Sequence, residues 1–275
     1  MRKIGVFRGS FDPITNEHIT FARAQMKKQN LDEVWFCLIE DDHLTDYQHR
    51  YNLLNRALKA YRKMRPVTKV CGDKNTCFVE LTEDSETEAF SDLVKKGQFR
   101  HLPANTRSYV IESGIYASSI VHNLVNEHRY KHSLSVAQLA CQLAQCHGLD
   151  SYKAYLIGIY HDIAKGMSEA ELTSWMMIEK PYELAYPSPV WHQYVGAYYL
   201  KHVMSMRDEA MLKAIRHHCL GDDDSLYSKI IFIADKLDPS RGYDSSKEIQ
   251  LAEKDLDKAF KLVHQQQAEY LQKEK

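Results

Sequence analysis

The sequence of 275 residues has no long apolar run, no excess of charge of either sign and no Cys-x-x-Cys pair. Its longest apolar runs, 34–39 and 155–160, fall far short of the roughly 20 residues that cross a membrane as a helix. Lys and Arg (36) nearly balance Asp and Glu (37), so the net charge of −1 gives no electrostatic footprint for nucleic acid or an anionic membrane. We therefore expect neither a nucleic acid nor a membrane as partner.

The six cysteines do not form a recognisable disulfide or zinc pattern. Disulfide frameworks are typical of small secreted domains, and this chain is not small, so we expect mostly buried thiols. The first four residues lead straight into a strand pattern without an apolar signal core, which predicts the cytoplasm as the compartment.

The pattern of apolar residues divides the chain into two parts of different fold class. The first part alternates strands and helices, and a β-α-β order predicts a parallel sheet. Strands are predicted at 3–7, 34–39, 77–81 and 108–111, with helices at about 17–28 and 48–63. After residue 120 the pattern is helical throughout, at about 151–161, 168–179, 190–204, 208–218, 223–237 and 246–272. We predict an α/β domain over 1–120 and an all-α domain over 121–275.

Histidine is unusually frequent in the second part, where nine of the 14 histidines lie between His122 and His218. Several polar residues sit in otherwise apolar helices, where a carboxylate is costly to bury without a compensating cation or hydrogen bond. They are His132, the adjacent pair His161 and Asp162, His192, His218 and Asp235. Such a set can enclose one or two transition-metal ions, with the Asp of the pair bridging both. Two ions about 3.5–4 Å apart can hold a bridging hydroxide for in-line attack on a phosphoryl group.

The order H…HD…H…H…D resembles the HD superfamily of metal-dependent phosphohydrolases. The segments around these residues, such as His161-Asp-Ile-Ala-Lys165 and Ala234-Asp-Lys-Leu-Asp-Pro-Ser-Arg241, resemble a bacterial branch that hydrolyses diadenosine tetraphosphate symmetrically to two ADP. The resemblance implies a hydrolase with a di-iron-type centre, manganese or cobalt being the alternatives. It implies metal ligation by His132, His161, Asp162, His192, His218 and Asp235.

The same resemblance assigns roles around the metals. The catalytic residues would be His161, Asp162, Lys165 and His192, and the residues that bind substrate would be Lys165, Arg241 and Arg129. Adjacent helical residues point about 100° apart, so only one of His217 and His218 can face the metals, and the spacing to Gly221 favours His218. Members of the branch are often dimers, so a homodimer is a further expectation.

A glycine-containing turn follows the first strand, at a position where the free amides of a helix N-terminus can cradle phosphate. The string from Gly5 to His18, GVFRGSFDPITNEH, resembles nicotinate mononucleotide adenylyltransferases. The resemblance implies a shortened Rossmann-like nucleotidyltransferase fold. It also implies nucleotide contacts at Gly9, Ser10, Phe11, Thr15 and His18, with magnesium required only if this domain is active.

Three departures from that pattern favour a domain that has lost adenylyl transfer and only binds nucleotide or supports the second half. Arg8 and Glu17 stand where the pattern has glycine, and His122 stands for an arginine of the family's second signature. The leading hypothesis is thus a symmetrical diadenosine tetraphosphate hydrolase. The alternatives are a nicotinate mononucleotide adenylyltransferase with an appended HD hydrolase, and an HD hydrolase of another nucleotide.

Overall fold

The computed structural model describes residues 1–82, 85–179 and 181–273. It divides the chain into two compact units, Met1–Tyr116 and Ala117–Lys275, so the division falls a few residues before the predicted one. Among the described residues, no helix combines the length and the apolar character needed to cross a membrane.

The first unit is a four-stranded parallel sheet in the order β3-β2-β1-β4, flanked by helices. Its elements are β1 (Arg2–Gly9), α1 (Asn16–Gln29), β2 (Glu33–Leu38), α2 (Tyr47–Leu58), β3 (Met64–Val67), β4 (Thr76–Leu81), α3 (Ser85–Lys95) and α4 (Ala104–Ser113). The central strands β1 and β2 contain buried, mainly apolar runs at 4–7 and 34–38, as expected of strands covered on both faces. Phe7, Phe11 and Phe36 pack together in the core with ring centroids 5.0–5.4 Å apart.

The second unit consists of helices. They are α5 (Ala117–Leu124), α6 (Glu127–Cys146), α7 (Ser151–Tyr160), α8 (Glu169–Glu179), α9 (Trp191–His202), α10 (Glu209–His217), α11 (Leu226–Leu237), α12 (Ser246–Lys254) and α13 (Leu256–Lys273). The predicted fold class, a Rossmann-like α/β unit followed by an all-α unit, is confirmed.

Three predictions about local structure were wrong. The strand predicted at 108–111 lies within α4, whose end is marked by Gly114 in the left-handed region (φ 67°), a signal that outweighs the β-branched pair before it. The helix predicted at 246–272 is interrupted at Asp255, which is extended and accepts a hydrogen bond from the Lys258 amide, thereby capping α13. The cysteines are all free but not mostly buried. Cys37 and Cys219 are buried, Cys77 and Cys141 are half-buried, and Cys71 and Cys146 are exposed.

Candidate metal centre

Five helices of the second unit bring the six sequence-predicted metal ligands together. His132 lies in α6, His192 in α9 and Asp235 in α11. His161 and Asp162 directly follow α7, and His218 directly follows α10. Each segment therefore delivers one or two donors from a helix or its end, and the apolar residues around them form the core of the unit.

A close approach of α6 and α7 positions two of the histidines. A Cβ atom on Gly158 would lie 2.4 Å from Cα of Ala137, so only glycine fits there. The carbonyl of Gly158 also accepts a hydrogen bond from Nδ1 of His161 (2.7 Å). In the same way, Nδ1 of His218 lies 2.7 Å from the carbonyl of Ile215. These bonds to Nδ1 leave Nε2 of both rings directed into the site, the arrangement that metal-ligating histidines ordinarily have.

Asp162 occupies the centre of the cluster, and its two carboxylate oxygens face different histidines. Oδ2 lies 3.3 Å from Nε2 of His161 and 3.7 Å from Nε2 of His132. Oδ1 lies 3.2 Å from Nε2 of His192 and 3.4 Å from Nε2 of His218. The donors thus form two half-sites that share one carboxylate.

Asp235 completes the half-site of His132 and His161. Its Oδ1 lies 3.1 Å from Nε2 of His132 and 3.9 Å from Nε2 of His161. Lys236 and Arg241 approach the same carboxylate, each at 2.7 Å. One carboxylate of this half-site is therefore partly neutralised by the chain itself.

Two further residues of the site were not predicted from the sequence. Asp238 is fully buried, and its Oδ2 lies 2.7 Å from Nδ1 of His132, which orients that ring from behind. Its position one helical turn after Asp235 was the available signal. Cys219 is the other residue: its Sγ lies 3.2 Å from Nε2 of both His192 and His218. Its neighbour His217, by contrast, points elsewhere and pairs with Asp222 at 2.7 Å.

Burial and the close charges shift the pKa values of the cluster in opposite directions. Burial would raise the pKa of Asp162, but the surrounding imidazoles hold it well below its usual range. Burial would lower the pKa of His132, but hydrogen bonds with Asp235 and Asp238 raise it to about 9. Burial lowers the pKa of His218 to about 4. The carboxylates of Asp162 and Asp235 are therefore ionised and the imidazole of His218 is neutral, as metal binding requires, whereas His132 would lose a proton on binding an ion.

The donor set fits transition-metal ions on the evidence of its unsatisfied atoms. Nε2 of His161 and both carboxylate oxygens of Asp162 are buried and have no hydrogen-bond partner among the described residues. Buried polar atoms are ordinarily paired, and a carboxylate is the costliest of them to leave unpaired. Imidazole nitrogens with carboxylate oxygens suit iron, zinc, manganese and cobalt. Cations at the two half-sites would satisfy these atoms together.

Three cationic side chains predicted to bind substrate surround a cavity of about 350 Å³ that opens onto His132 and Asp162. Nζ of Lys165 lies 2.8 Å from Oδ2 of Asp162 and forms an ion pair with it. Arg129 donates a hydrogen bond to the carbonyl of Lys165. Arg241 completes the ring, so the mouth of the site is positively charged.

A second, larger cavity of about 710 Å³ adjoins the first, and Arg241 lines both. Tyr243 and Tyr270 line this cavity and are each more than half exposed. Gln266 also lines it and supplies amide groups. The pairing of a cationic cavity with an aromatic one suits a ligand that has both phosphate and ring groups.

Three of the predicted nucleotide contacts around the turn after β1 are buried, namely Phe11, Thr15 and His18. Thr15 is the N-cap of α1, and its Oγ1 lies 2.7 Å from Nδ1 of His18. The Thr15 amide donates to the same ring nitrogen (3.0 Å), and both side chains are fully buried. Phe11 is likewise buried.

Two buried side chains, Arg50 and Phe11, contact the backbone of this turn. The buried Arg50 donates to the carbonyl of Ser10 (2.8 Å), and a Cβ on Gly9 would lie 3.0 Å from the ring of Phe11. Glu17 is paired with His101 (2.7 Å), so its carboxylate is directed to an imidazole.

Comparisons with known proteins agree with this architecture. Residues 129–240 match the HD domain family. A Mycoplasma pneumoniae protein named as a probable nicotinate-nucleotide adenylyltransferase/Ap4A hydrolase is 36% identical over 184 residues, 64% of this chain and 53% of the relative. The symmetrical bis(5'-nucleosyl)-tetraphosphatase of Bacillus subtilis is 37% identical over 148 residues, 52% of this chain and 80% of the relative. A solved HD superfamily hydrolase of Clostridium acetobutylicum, described as involved in NAD metabolism, aligns with a TM-score of 0.54 and 29% identity over 57% of this chain and 86% of that chain.

The helical unit and its His-Asp centre thus define an HD domain, the class of metal-dependent hydrolases that the sequence resembles. Within that class, the chain belongs to the family of symmetrical bis(5'-nucleosyl)-tetraphosphatases, joined to an adenylyltransferase-like first unit. The chain spans about half the length of the Mycoplasma pneumoniae relative.

Proposed function

We propose that the second unit hydrolyses diadenosine tetraphosphate symmetrically, so that one water molecule and one P–O–P linkage yield two ADP. The observation that carries this proposal is the pair of half-sites that share Asp162. A donor set with one bridging carboxylate suits two ions, and paired ions suit the displacement at phosphorus that the reaction needs. The tetraphosphatase family to which the chain belongs supports the substrate class.

Two ions, with iron as the first choice and manganese or cobalt as alternatives, would be held by the six donors. His132, His161 and Asp235 would serve one half-site, His192 and His218 the other, and Asp162 both. When bound, the ions supply Lewis acidity and lower the pKa of water so that a nucleophile is available near neutral pH. Asp238 would keep Nε2 of His132 directed at its ion through the bond to Nδ1.

The cationic residues at the mouth would bind and orient the polyphosphate. Lys165 and Arg241 both line the cavity that reaches Asp162, so phosphate oxygens bound there would meet opposite charge from both. Charge-assisted hydrogen bonds of this kind are stronger than neutral ones and stabilise charge that builds on a leaving phosphate. Arg129 would act mainly through the backbone of Lys165, whose carbonyl it holds.

One nucleoside of the substrate would occupy the larger cavity. Arg241 lines both cavities, so a phosphate chain that it binds leads directly into the larger one. The rings of Tyr243 and Tyr270 line the space where a base would lie. The side-chain oxygen of Gln266 could accept from its edge, while Nε2 of Gln266 donates to Glu248 (3.0 Å). Aromatic stacking on a base contributes about 1–3 kcal/mol, enough to matter for affinity.

For the first unit, a nucleotide-binding or supporting role has better support than adenylyl transfer. Thr15 and His18 are hydrogen-bonded to each other and buried, so their polar atoms serve to cap α1. The alternative, a magnesium-dependent nicotinate mononucleotide adenylyltransferase, draws on the name of the Mycoplasma pneumoniae relative. It predicts adenylyl transfer from ATP that is lost in His18→Ala.

The test is to supply the purified protein with iron or manganese, add diadenosine tetraphosphate and separate the products by chromatography. We expect ADP as the sole product, with turnover and bound metal both lost in Asp162→Asn. AMP with ATP would overturn symmetrical cleavage. No turnover by a metal-loaded protein would overturn this substrate and favour an HD hydrolase of another nucleotide. Light scattering of the same sample would test the expected homodimer.

A further inference from the structure

We propose that Sγ of Cys219 is an additional ligand of the ion at the half-site of His192 and His218. The inference rests on the metal centre proposed above. Sγ lies 3.2 Å from Nε2 of each histidine, and the two Nε2 atoms lie 3.2 Å from each other. The three donor atoms therefore form a triangle with equal sides.

The size of this triangle suits a single ion. Its centre lies about 1.8 Å from each corner, so one ion with metal–ligand distances of about 2.0–2.3 Å could be held by all three atoms. Oδ1 of Asp162 points to the same place, 3.2 Å and 3.4 Å from the two Nε2 atoms. That oxygen is buried and has no hydrogen-bond partner in the part of the chain that the structure describes, an independent sign that a cation belongs there.

The backbone of Cys219 is held by hydrogen bonds at its amide and at its carbonyl, which fixes the position of its Cα–Cβ bond. Its amide donates to Oε1 of the buried Gln193 (2.9 Å), and its carbonyl accepts from Nε2 of Gln267 (3.2 Å). Gln193 directly follows His192 in α9, so one hydrogen bond ties the two ligand-bearing segments together.

The consequence is an asymmetric centre. One half-site offers nitrogen and oxygen only, and the other adds sulfur, a softer donor that favours zinc, cobalt or iron over manganese. On coordination the Sγ–H bond breaks, the proton passes to solvent and the sulfur–metal bond forms, with no change in oxidation state. The two ions would then differ in affinity and in preferred element.

The test is the absorption spectrum of the full-length protein loaded with Co²⁺. We expect a thiolate-to-cobalt charge-transfer band in the near ultraviolet that disappears in Cys219→Ser. Cys146→Ser, which removes an exposed thiol of the same unit, should keep the band. In Cys219→Ala, chelator competition should show cobalt held at least about 10-fold more weakly at one half-site.

The outcomes separate this proposal from the metal centre itself. Cobalt bound without a thiolate band, or a band that persists in Cys219→Ser, would overturn sulfur ligation and leave the hydrolase proposal intact. No cobalt bound by the wild-type protein would overturn both. X-ray absorption of the cobalt-loaded wild type, which needs no variant to fold, should show a cobalt–sulfur distance of about 2.3 Å. Its absence would contradict ligation by Cys219.

Discussion

Nδ1 of His132 lies 2.7 Å from the buried carboxylate of Asp238, so a carboxylate outside the donor set orients a histidine within it. Removing such an outer partner ordinarily weakens metal binding by about 10–100-fold. We expect that loss in Asp238→Ala, measured by chelator competition. Asp238→Asn should lose less because its amide oxygen can still accept from Nδ1. Asp257→Ala, which removes an exposed carboxylate of the same unit, should bind metal as tightly as the wild type.

Two glycines of the helical unit should respond to alanine in opposite directions. In Gly158→Ala the new methyl would lie 2.4 Å from Cα of Ala137, and backbone cannot move aside cheaply. We expect a loss of about 2 kcal/mol or more in the free energy of unfolding, together with weaker metal loading. In Gly196→Ala the nearest atom lies at 3.6 Å, and helix propensity should add up to about 1 kcal/mol. Urea denaturation of both variants measures the contrast, and equal effects would contradict it.

The buried imidazole of His18 should make stability depend on pH. Burial lowers its pKa in the folded protein to about 4, against an unfolded value of 6.5. Above pH 6.5 the ring is neutral in both states. Between pH 6.5 and 4 only the unfolded state takes up the proton, so stability falls as the pH falls, by about 3 kcal/mol in all.

The check is the free energy of unfolding between pH 7.5 and about 4 for the wild type and two variants. His18→Gln should remove that part of the pH slope, whatever it does to stability at neutral pH. His43→Gln, which changes an exposed histidine, should keep it. A wild type and a His18→Gln variant with parallel curves would show that His18 is not responsible.

The proposed nucleoside cavity can be tested at Tyr270. Loss of base stacking in Tyr270→Ala should raise KM for diadenosine tetraphosphate about 5- to 100-fold, with a smaller effect on kcat. Tyr270→Phe keeps the ring and should restore most of the affinity. Tyr152→Ala, which removes an exposed tyrosine of α7 that does not line this cavity, serves as the matched control. A KM unchanged in Tyr270→Ala would exclude this ring as a stacking surface.

The sequence was most informative where chemistry and helical position coincide. A carboxylate such as Asp235 among Ile, Phe and Ala demands compensation, and that demand is visible without a structure. His132 and Arg241, which contact this carboxylate, were predicted as site residues, whereas Asp238 and Cys219 were not. Asp238 precedes a proline and looks like a helix end, while Cys219 looks like a buried apolar side chain. Only the packing of α6, α9, α10 and α11 shows that both face the histidines.

The first unit shows the opposite case, in which a motif is recognisable but its contacts depend on local geometry. The sequence motif around Thr15 and His18 predicts phosphate contacts, and these contacts remain a prediction. The structure adds that these two residues also form a capping box, which stabilises α1 whether or not a nucleotide binds. Val110 and Ile111 similarly predicted a strand, but they lie in α4, a helix that ends at Gly114 in the left-handed conformation.

Because Asp162 is shared by both half-sites, substitutions of different ligands should remove different numbers of metal ions. A substitution at His132 or His192 removes a donor from one half only, whereas a substitution at Asp162 removes a donor from both. Counting the metal ions retained per chain would then distinguish the residues in a way that activity alone cannot. A substitution at His132 or His192 would leave about one ion per chain. A substitution at Asp162 would leave none, because this one side chain serves both half-sites.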